Sequence, residues 1–273
     1  MCRWIAYTGP RLSPATLLFG PTNSLIRQSL SARRSIVPTN GDGFGLGWYG
    51  DVEEPGLFRD TLPAWNDQNL QSLSRQIRSK LFFAHVRAST GTATSRDNCH
   101  PFRYRDRLFM HNGRIGGYAK VRRELEHLIP AELYAHRSGT TDSEAFFLLA
   151  LGFGLTDDPA GALARAVGTI ERVMAAHRIE EPLRIAAAYS EGERIIALRY
   201  SSDRQSPTMF FGRGGDVYLR DGEIHFGPGN GSVIVLSEPL DGTDASWNEV
   251  PESTWLIAER GQVQAQPFRP VTT

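Results

Sequence analysis

Cysteine is scarce in this chain: Cys2 and Cys99 are the only two among 273 residues. Two cysteines cannot staple a disulfide scaffold, and they are not set at zinc-ligand spacing. A reduced, cytoplasmic protein without metal or cofactor is therefore expected. Long hydrophobic runs are missing too, since no stretch approaches the roughly 18 apolar residues of a membrane-spanning helix. The first residues lack the basic segment, apolar stretch and cleavage site of a signal peptide. Charge of one sign is also absent: 30 Lys and Arg balance 30 Asp and Glu. No global field then draws the chain to nucleic acid or to an acidic membrane. The short clusters Arg33-Arg34 and Arg122-Arg123 read as solvated helix faces. With no fixed-period repeat and no Pro/Ser-rich linker, a single domain over residues 2–273 is expected.

What is present is an ordinary globular composition, 40% apolar and 22% charged. Residues 2–8 read as a strand starting almost at the chain start, and Ser24 to Leu30 as a short helix. Asn40 to Gly50 is glycine-dense, with Phe44, Leu46 and Trp48 alternating through it. The alternation predicts a strand and the glycines a close backbone approach. Leu81 to Ala88 and Arg107 to His111 are two more strands. Helices follow: Tyr118 to Leu128; one opened by the capping-box pattern Thr141-Asp142-Ser143-Glu144; and one near Asp158-Pro159, with Leu163, Val167, Ile170 and Met174 at helical spacing. From Leu183 onward the pattern is β. Strands, then helices, then strands point to an α+β domain of stacked layers, with a separate C-terminal β unit as the alternative.

Chemistry gathers at the start of the chain. Removal of Met1 leaves Cys2 with its thiol beside its own α-amine, whose reference pKa near 7.7–8 suits it to take the thiol proton. An acyl-transfer nucleophile needs donors aimed at the developing oxyanion. Met110-His111-Asn112-Gly113 reads as a strand end opening a turn, where the Asn112 amide and the Gly113 N–H are candidate donors. By itself Asn-Gly is an ordinary turn. Arg87, running off a strand, has a planar fork suited to a carboxylate. Asp142, in the first turn of a helix, is held ionised by the macrodipole and suited to an ammonium group. As isolated residues these two read equally as an ion-pair partner and a cap.

Taken together, Cys2-Arg3, Gly41-Asp42-Gly43-Phe44-Gly45-Leu46-Gly47-Trp48, His85-Val86-Arg87-Ala88-Ser89-Thr90, His111-Asn112-Gly113, Thr141-Asp142-Ser143-Glu144 and Ser237-Glu238-Pro239 resemble the class II glutamine amidotransferases of the N-terminal-nucleophile hydrolase superfamily. The order matches that family across nearly the whole chain. The resemblance implies a four-layer αββα sandwich. It implies Cys2 as nucleophile with its α-amine as base, and Asn112 and Gly113 as the oxyanion hole. It also assigns Arg87 and Thr90 to the substrate carboxylate end and Asp142 to its α-ammonium. The Cys-Arg start, the glycine-rich segment and Asn98-Cys99-His100-Pro101-Phe102 are most similar to stand-alone members such as the ergothioneine-pathway γ-glutamyl amidohydrolase.

The expected reaction is hydrolysis of a γ-glutamyl amide, of glutamine or a γ-glutamyl compound, through a γ-glutamyl thioester. The rivals are a glutaminase subunit that delivers ammonia to a separate synthase, and a non-catalytic γ-glutamyl-binding protein. A synthase partner or a homo-oligomer fits the resemblance; nucleic acid and membrane do not. Cys99-His100 is a tempting nucleophile–base pair, but neighbours in an extended segment point to opposite faces. Cys99 is therefore expected to be structural, and His85 and His111 to serve packing around the site. Asp42 and its glycines lack the Lys-Ser/Thr ending of a phosphate loop and are expected to wall the cleft.

Overall fold

The computed structural model describes residues 2–31, 39–89, 93–242 and 246–271. Met1, Arg33-Arg34 and Thr90, expected at the substrate carboxylate end, lie outside them. The first half supplies strands β1 Arg3–Leu12, β2 Phe44–Trp48, β3 Gly56–Asp60, β4 Ser79–Val86, β5 Phe102–Tyr104 and β6 Arg107–Arg114. The second half supplies β7 Arg184–Ser190, β8 Ile195–Ser201, β9 Phe210–Gly214, β10 Val217–Arg220, β11 Glu223–Phe226, β12 Ser232–Leu236, β13 Asn248–Glu249, β14 Thr254–Glu259 and β15 Gln262–Pro267. The helices are α1 Ala15–Leu18, α2 Leu25–Leu30, α3 Gln68–Gln76, α4 Tyr118–His127, α5 Ala131–Tyr134, α6 Asp142–Gly152 and α7 Pro159–Ala176.

One sheet runs β13-β9-β12-β1-β4-β2-β3 and the other β15-β14-β8-β7-β6-β5, with β10-β11 a separate hairpin. Three buried cores show how they stack. Trp4, Ala6, Leu81, Phe83, Val233 and Val235 of the first sheet meet Leu108, Met110, Ala186, Ala188 and Ala197 of the second. The alternate residues Ile5, Tyr7, Phe82, Ala84 and Ile234 pack outward on Leu17, Leu25, Ile26 and Leu70 of α1 to α3. Phe109, Ile185, Ala187 and Leu198 pack outward from the second sheet on α4, α6 and α7. Period-two alternation, with both faces covered, is what makes four layers. The fold is the expected αββα sandwich.

Local chemistry explains the helix boundaries. Ser24 caps α2 by accepting from the Arg27 N–H, at 3.4 Å, and Asp158 caps α7 by accepting from that of Gly161, at 3.0 Å, ahead of Pro159. Thr141 accepts from the Glu144 N–H at 3.2 Å. The return arm of the expected capping box is diverted. The Glu144 carboxylate takes the N–H groups of Ser138 and Gly139, at 2.9 and 2.8 Å, and so braces the loop before α6. Residues Ser143 to Leu151 are all buried, as befits a helix enclosed on every side.

The alternating glycines of β2 do what their spacing suggests. A Cβ on Gly43 would lie 2.6 Å from Cys99 Sγ, one on Gly45 would strike the His100 carbonyl oxygen, and one on Gly47 would lie 2.8 Å from Pro101. Segment 99–101 therefore lies directly on the β2 backbone. Trp48, on the opposite row from these glycines, packs at the edge of the outer core. Two boundaries differ from expectation by three residues or more. β1 extends to Leu12, and β6 runs on through Gly113 to Arg114 because β7 pairs with it throughout, Asn112 opposite Ala186 and Gly113 opposite Ile185. Asn112-Gly113 is thus strand, not turn.

Gly45→Ala should lower the urea midpoint by an amount equal to about 1–3 kcal/mol of overpacking. Gly50→Ala, where a Cβ meets nothing within 4 Å, should leave the midpoint unchanged.

Candidate active site

Cys2 stands one residue before the first ladder pair, Arg3 with Val86. Alternation puts it on the inward row with Trp4 and Ala6, facing the second sheet. Its Sγ is 3.4 Å from the Ala88 N–H, which donates to it, and 3.7 Å from the Ala88 carbonyl. Burial pushes the thiol pKa up, while the Ala88 backbone and the positive charges of Arg87 and Arg3 act against that rise. The resting group is then the neutral thiol, and a nucleophile at this position needs a base within reach.

The opposite wall is β6, which lies against β1. Leu108 and Met110 are on its inward row, and Asn112 continues that row. His85, paired with Trp4 on β4, is close enough to His111 to feel its backbone and charge. Trp4 and His111 are thus neighbours through His85, with Cys2 two residues beyond the one and Asn112 one residue beyond the other. Asn112 is 2% exposed. No hydrogen bond engages its side-chain amide among the described residues. Gly113 has no room for a side chain, because a Cβ there would strike the Arg184 carbonyl.

Arg87 follows β4 directly and is buried. Its guanidinium reaches the Asp42 carbonyl at 3.3 Å, Ser89 Oγ at 3.2 Å and the Ala93 carbonyl at 3.3 Å. The Asp42 carboxylate accepts from the Ser89 N–H at 2.7 Å, so the loop before β2 is latched to the loop after β4. Asp42 thus holds two loops together. Asp142 is the first residue of α6. Its carboxylate takes the N–H groups of Ile115 and Ser143, both at 2.8 Å, tying the helix start to the end of β6. The structure thus brings Cys2, Asn112, Gly113, Arg87 and Asp142 to the ends of β1, β6 and β4 and the start of α6. Among the described residues no group of His, Cys, Asp and Glu could hold a metal ion. No described helix is long and apolar enough to cross a membrane.

The histidines near this end are packing groups. The His85 and His100 rings lie tilted with centroids 4.3 Å apart, and among the described residues none of their ring nitrogens has a hydrogen-bond partner. Burial pulls His85 down to about 3 and His100 well below its ordinary value, so both are neutral. His111 Nδ1 is 2.8 Å from Ser143 Oγ and its Nε2 is 3.3 Å from the Arg184 carbonyl. If Nε2 donates to that carbonyl, Nδ1 accepts from the Ser143 hydroxyl. His111 faces the α6 layer and not Cys2. Cys99 Sγ is 3.4 Å from the carbonyls of Asp60 and Ser95, and burial pushes it up to about 11, which leaves it an inert thiol.

Sequence reasoning did not foresee two ties. Arg3, at 3.0 Å, pairs with Glu238 in the interior. Asn98 donates to the Ala93 carbonyl at 2.8 Å and accepts from the Thr140 N–H at 2.8 Å, linking the Arg87 side of the site to the Asp142 side. Only the fragments Cys2-Arg3 and Ser237-Glu238-Pro239 hinted at the first.

A family model for class II glutamine amidotransferases matches residues 21–272. The chain belongs to that family. It is thus an enzyme of the amidotransferase kind, acting on linear amide C–N bonds. The matched span starts after Cys2, but two curated relatives align with 98% of the chain. One is a probable glutamine amidotransferase, DUG3, of Saccharomyces cerevisiae, 33% identical over 84% of its own length. The other is the γ-glutamyl-hercynylcysteine sulfoxide hydrolase of Mycolicibacterium smegmatis, 28% identical over all of its length. A solved glutamine aminotransferase class-II domain protein from Silicibacter pomeroyi superposes with a TM-score of 0.75 at 33% identity, covering 98% of this chain and 99% of that one. The glutamine phosphoribosylpyrophosphate amidotransferase of B. subtilis shares the fold at 17% identity and TM-score 0.60, this chain matching 49% of it.

The neutral histidines make stability depend on pH. The unfolded chain protonates its histidines below about pH 6.5, whereas folded His85 resists until about pH 3. The unfolded state then binds more protons, so stability is complete above pH 6.5 and falls toward acid by about 1.4 kcal/mol per unit per histidine. Urea unfolding from pH 7.5 to 4.5 should show this slope, and His85→Phe should reduce it by about one proton's worth.

Proposed function

We propose that this protein hydrolyses a γ-glutamyl amide bond, with Cys2 as nucleophile after Met1 is removed, and that residues 2–273 form one amidotransferase domain. The observation that carries the reading is the meeting of two inward rows. Cys2 continues the inward row of β1 with a thiol, and Asn112 continues that of β6 with an amide that makes no hydrogen bond among the described residues.

In the proposed reaction the α-amine of Cys2 takes the thiol proton, and the thiolate attacks the side-chain carbonyl of the glutamyl group. The Asn112 amide and the Gly113 N–H stabilise the oxyanion. The ammonium returns its proton to the departing amine as the C–N bond breaks, leaving a γ-glutamyl thioester. Water, deprotonated by the same amine, attacks the thioester and releases glutamate. Arg87 binds the α-carboxylate, its present contacts to neutral acceptors giving way to a stronger charged one. Thr90 assists it, and Asp142 receives the α-ammonium. The names of the two curated relatives agree on a glutamine or γ-glutamyl substrate and differ in what leaves with the nitrogen. A separate synthase that receives ammonia is the second reading. Turnover of glutamine alone, stimulated by an added partner, would favour it.

Cys2→Ala should abolish turnover of γ-glutamyl p-nitroanilide, and Asn112→Ala should lower kcat about 10²–10³-fold with little change in KM. Arg87→Lys should raise KM, because a point charge replaces a fork. Intact-mass analysis after treatment with a glutamine-mimicking diazoketone should show a protein lacking Met1 and labelled once, on Cys2. A fully active preparation that retains Met1 would sink the mechanism.

A further inference from the structure

We propose that the buried Arg3–Glu238 ion pair is the device that positions the nucleophile, a proposal that rests on Cys2 being that nucleophile. Cys2 lies outside the sheet ladder. Its strand is first paired at Arg3 on one side, with Val86, and at Ile5 on the other, with Leu236. A chain end beyond its last ladder bond frays unless something ties it down. Arg3 supplies the tie. Its Nη1 donates to the Cys2 carbonyl at 2.9 Å while its Nε donates to Glu238 Oε2 at 3.0 Å.

The anchor is braced from behind. The side chains of Arg3 and Glu238 are each 2% exposed. Asn23 Nδ2 donates to Glu238 Oε1 at 3.3 Å and to the Pro239 carbonyl at 2.6 Å. Gln28 Nε2 donates to the Asn23 carbonyl at 2.8 Å. Ser237 exchanges bonds with Trp4, accepting the Trp4 N–H on Oγ at 3.0 Å and donating its own N–H to the Trp4 carbonyl at 3.1 Å. Segment 237–239 therefore grips residues 2–4 from the face away from the cleft. Alternation sends Arg3 outward with Ile5 and Tyr7, so it does not face the substrate. It is a positioning residue.

Stability alone does not explain such a pair, since apolar residues of similar volume in its place are commonly as stable or more so. Geometry does. A guanidinium fork spans a carboxylate and a carbonyl at once, which a lysine ammonium cannot do with fixed angles. The positive charge of Arg3 also acts, as a minor contribution, against the rise that burial imposes on the thiol pKa.

The test uses the full chain with its mature N-terminus verified by intact mass. Labelling of Cys2 by a glutamine-mimicking diazoketone is followed against pH, beside kcat and KM for γ-glutamyl p-nitroanilide. Glu238→Gln and Arg3→Lys should each slow labelling and lower kcat about 100-fold, leave KM within about twofold, and shift the labelling pH profile, as expected of a displaced nucleophile. Normal labelling in the wild type with unchanged rates in both variants overturns this proposal alone. A change confined to KM overturns it too, as does loss of cooperative unfolding in both variants, since the pair would then serve the fold at large. Failure of the wild type to label Cys2 sinks the nucleophile reading itself, and this proposal with it.

Discussion

β1 belongs to two cores at once, and that constraint governs the rest of the molecule. Trp4 and Ala6 seal the gap between the sheets, while Ile5 and Tyr7 are buried under the outer helices. A strand buried on both faces has no freedom of register, because a slip of one residue would exchange the two sets. Such a slip would carry Cys2 to the helix side and Arg3 into the gap between the sheets. The hydrophobic pattern of four ordinary core residues thereby decides where the first chemically interesting side chain points. The facing strand obeys the same rule: Leu108 and Met110 occupy the gap, and Asn112 continues their row.

A second wall depends on closeness instead of alternation. The glycines of β2 let segment 99–101 lie on the strand backbone, which puts the His100 ring against that of His85. Two imidazoles whose nitrogens find no partner among the described residues are a costly use of buried space. Burial keeps them neutral, with the charge of Arg87 opposing protonation of both. Arg87 is a buried cation close to both rings and to the thiol. The uncharged state of the rings beside Arg87 is a product of packing.

Much of this was legible in the sequence, and the failures have physical causes. α7 was readable because Asp158-Pro159 and a helical apolar stripe agree. The β2 glycines were readable because alternation and small size point to one face. β6 was cut short because Asn-Gly is the commonest of turn signals; its extension depends on pairing with β7, some 70 residues away in sequence, and local propensity carries no trace of that. The Glu144 arm was misassigned for the same reason, since its acceptor geometry is set by the loop at Ser138 and Gly139 and not by the helix. Arg3 and Glu238 lie 235 residues apart, and nothing in either fragment alone says that they touch. The family and the layered fold were legible because several weak fragments occur in one order, a property of the whole chain that no single motif has.

The proposed chemistry divides the substrate unequally between rigid and variable structure. Of the groups assigned to the glutamyl half, Arg87 follows a strand and Asp142 opens a buried helix, and Asn98 joins the two sides. Sites on such elements hold geometry better than sites on loops. Nothing in this set reaches for the nitrogen that leaves. An enzyme so built would be strict about the glutamyl end and would take its leaving-group preference from elsewhere. Two relatives of comparable identity could then carry different names, with the difference lying outside the part that β1, β4, β6 and α6 fix.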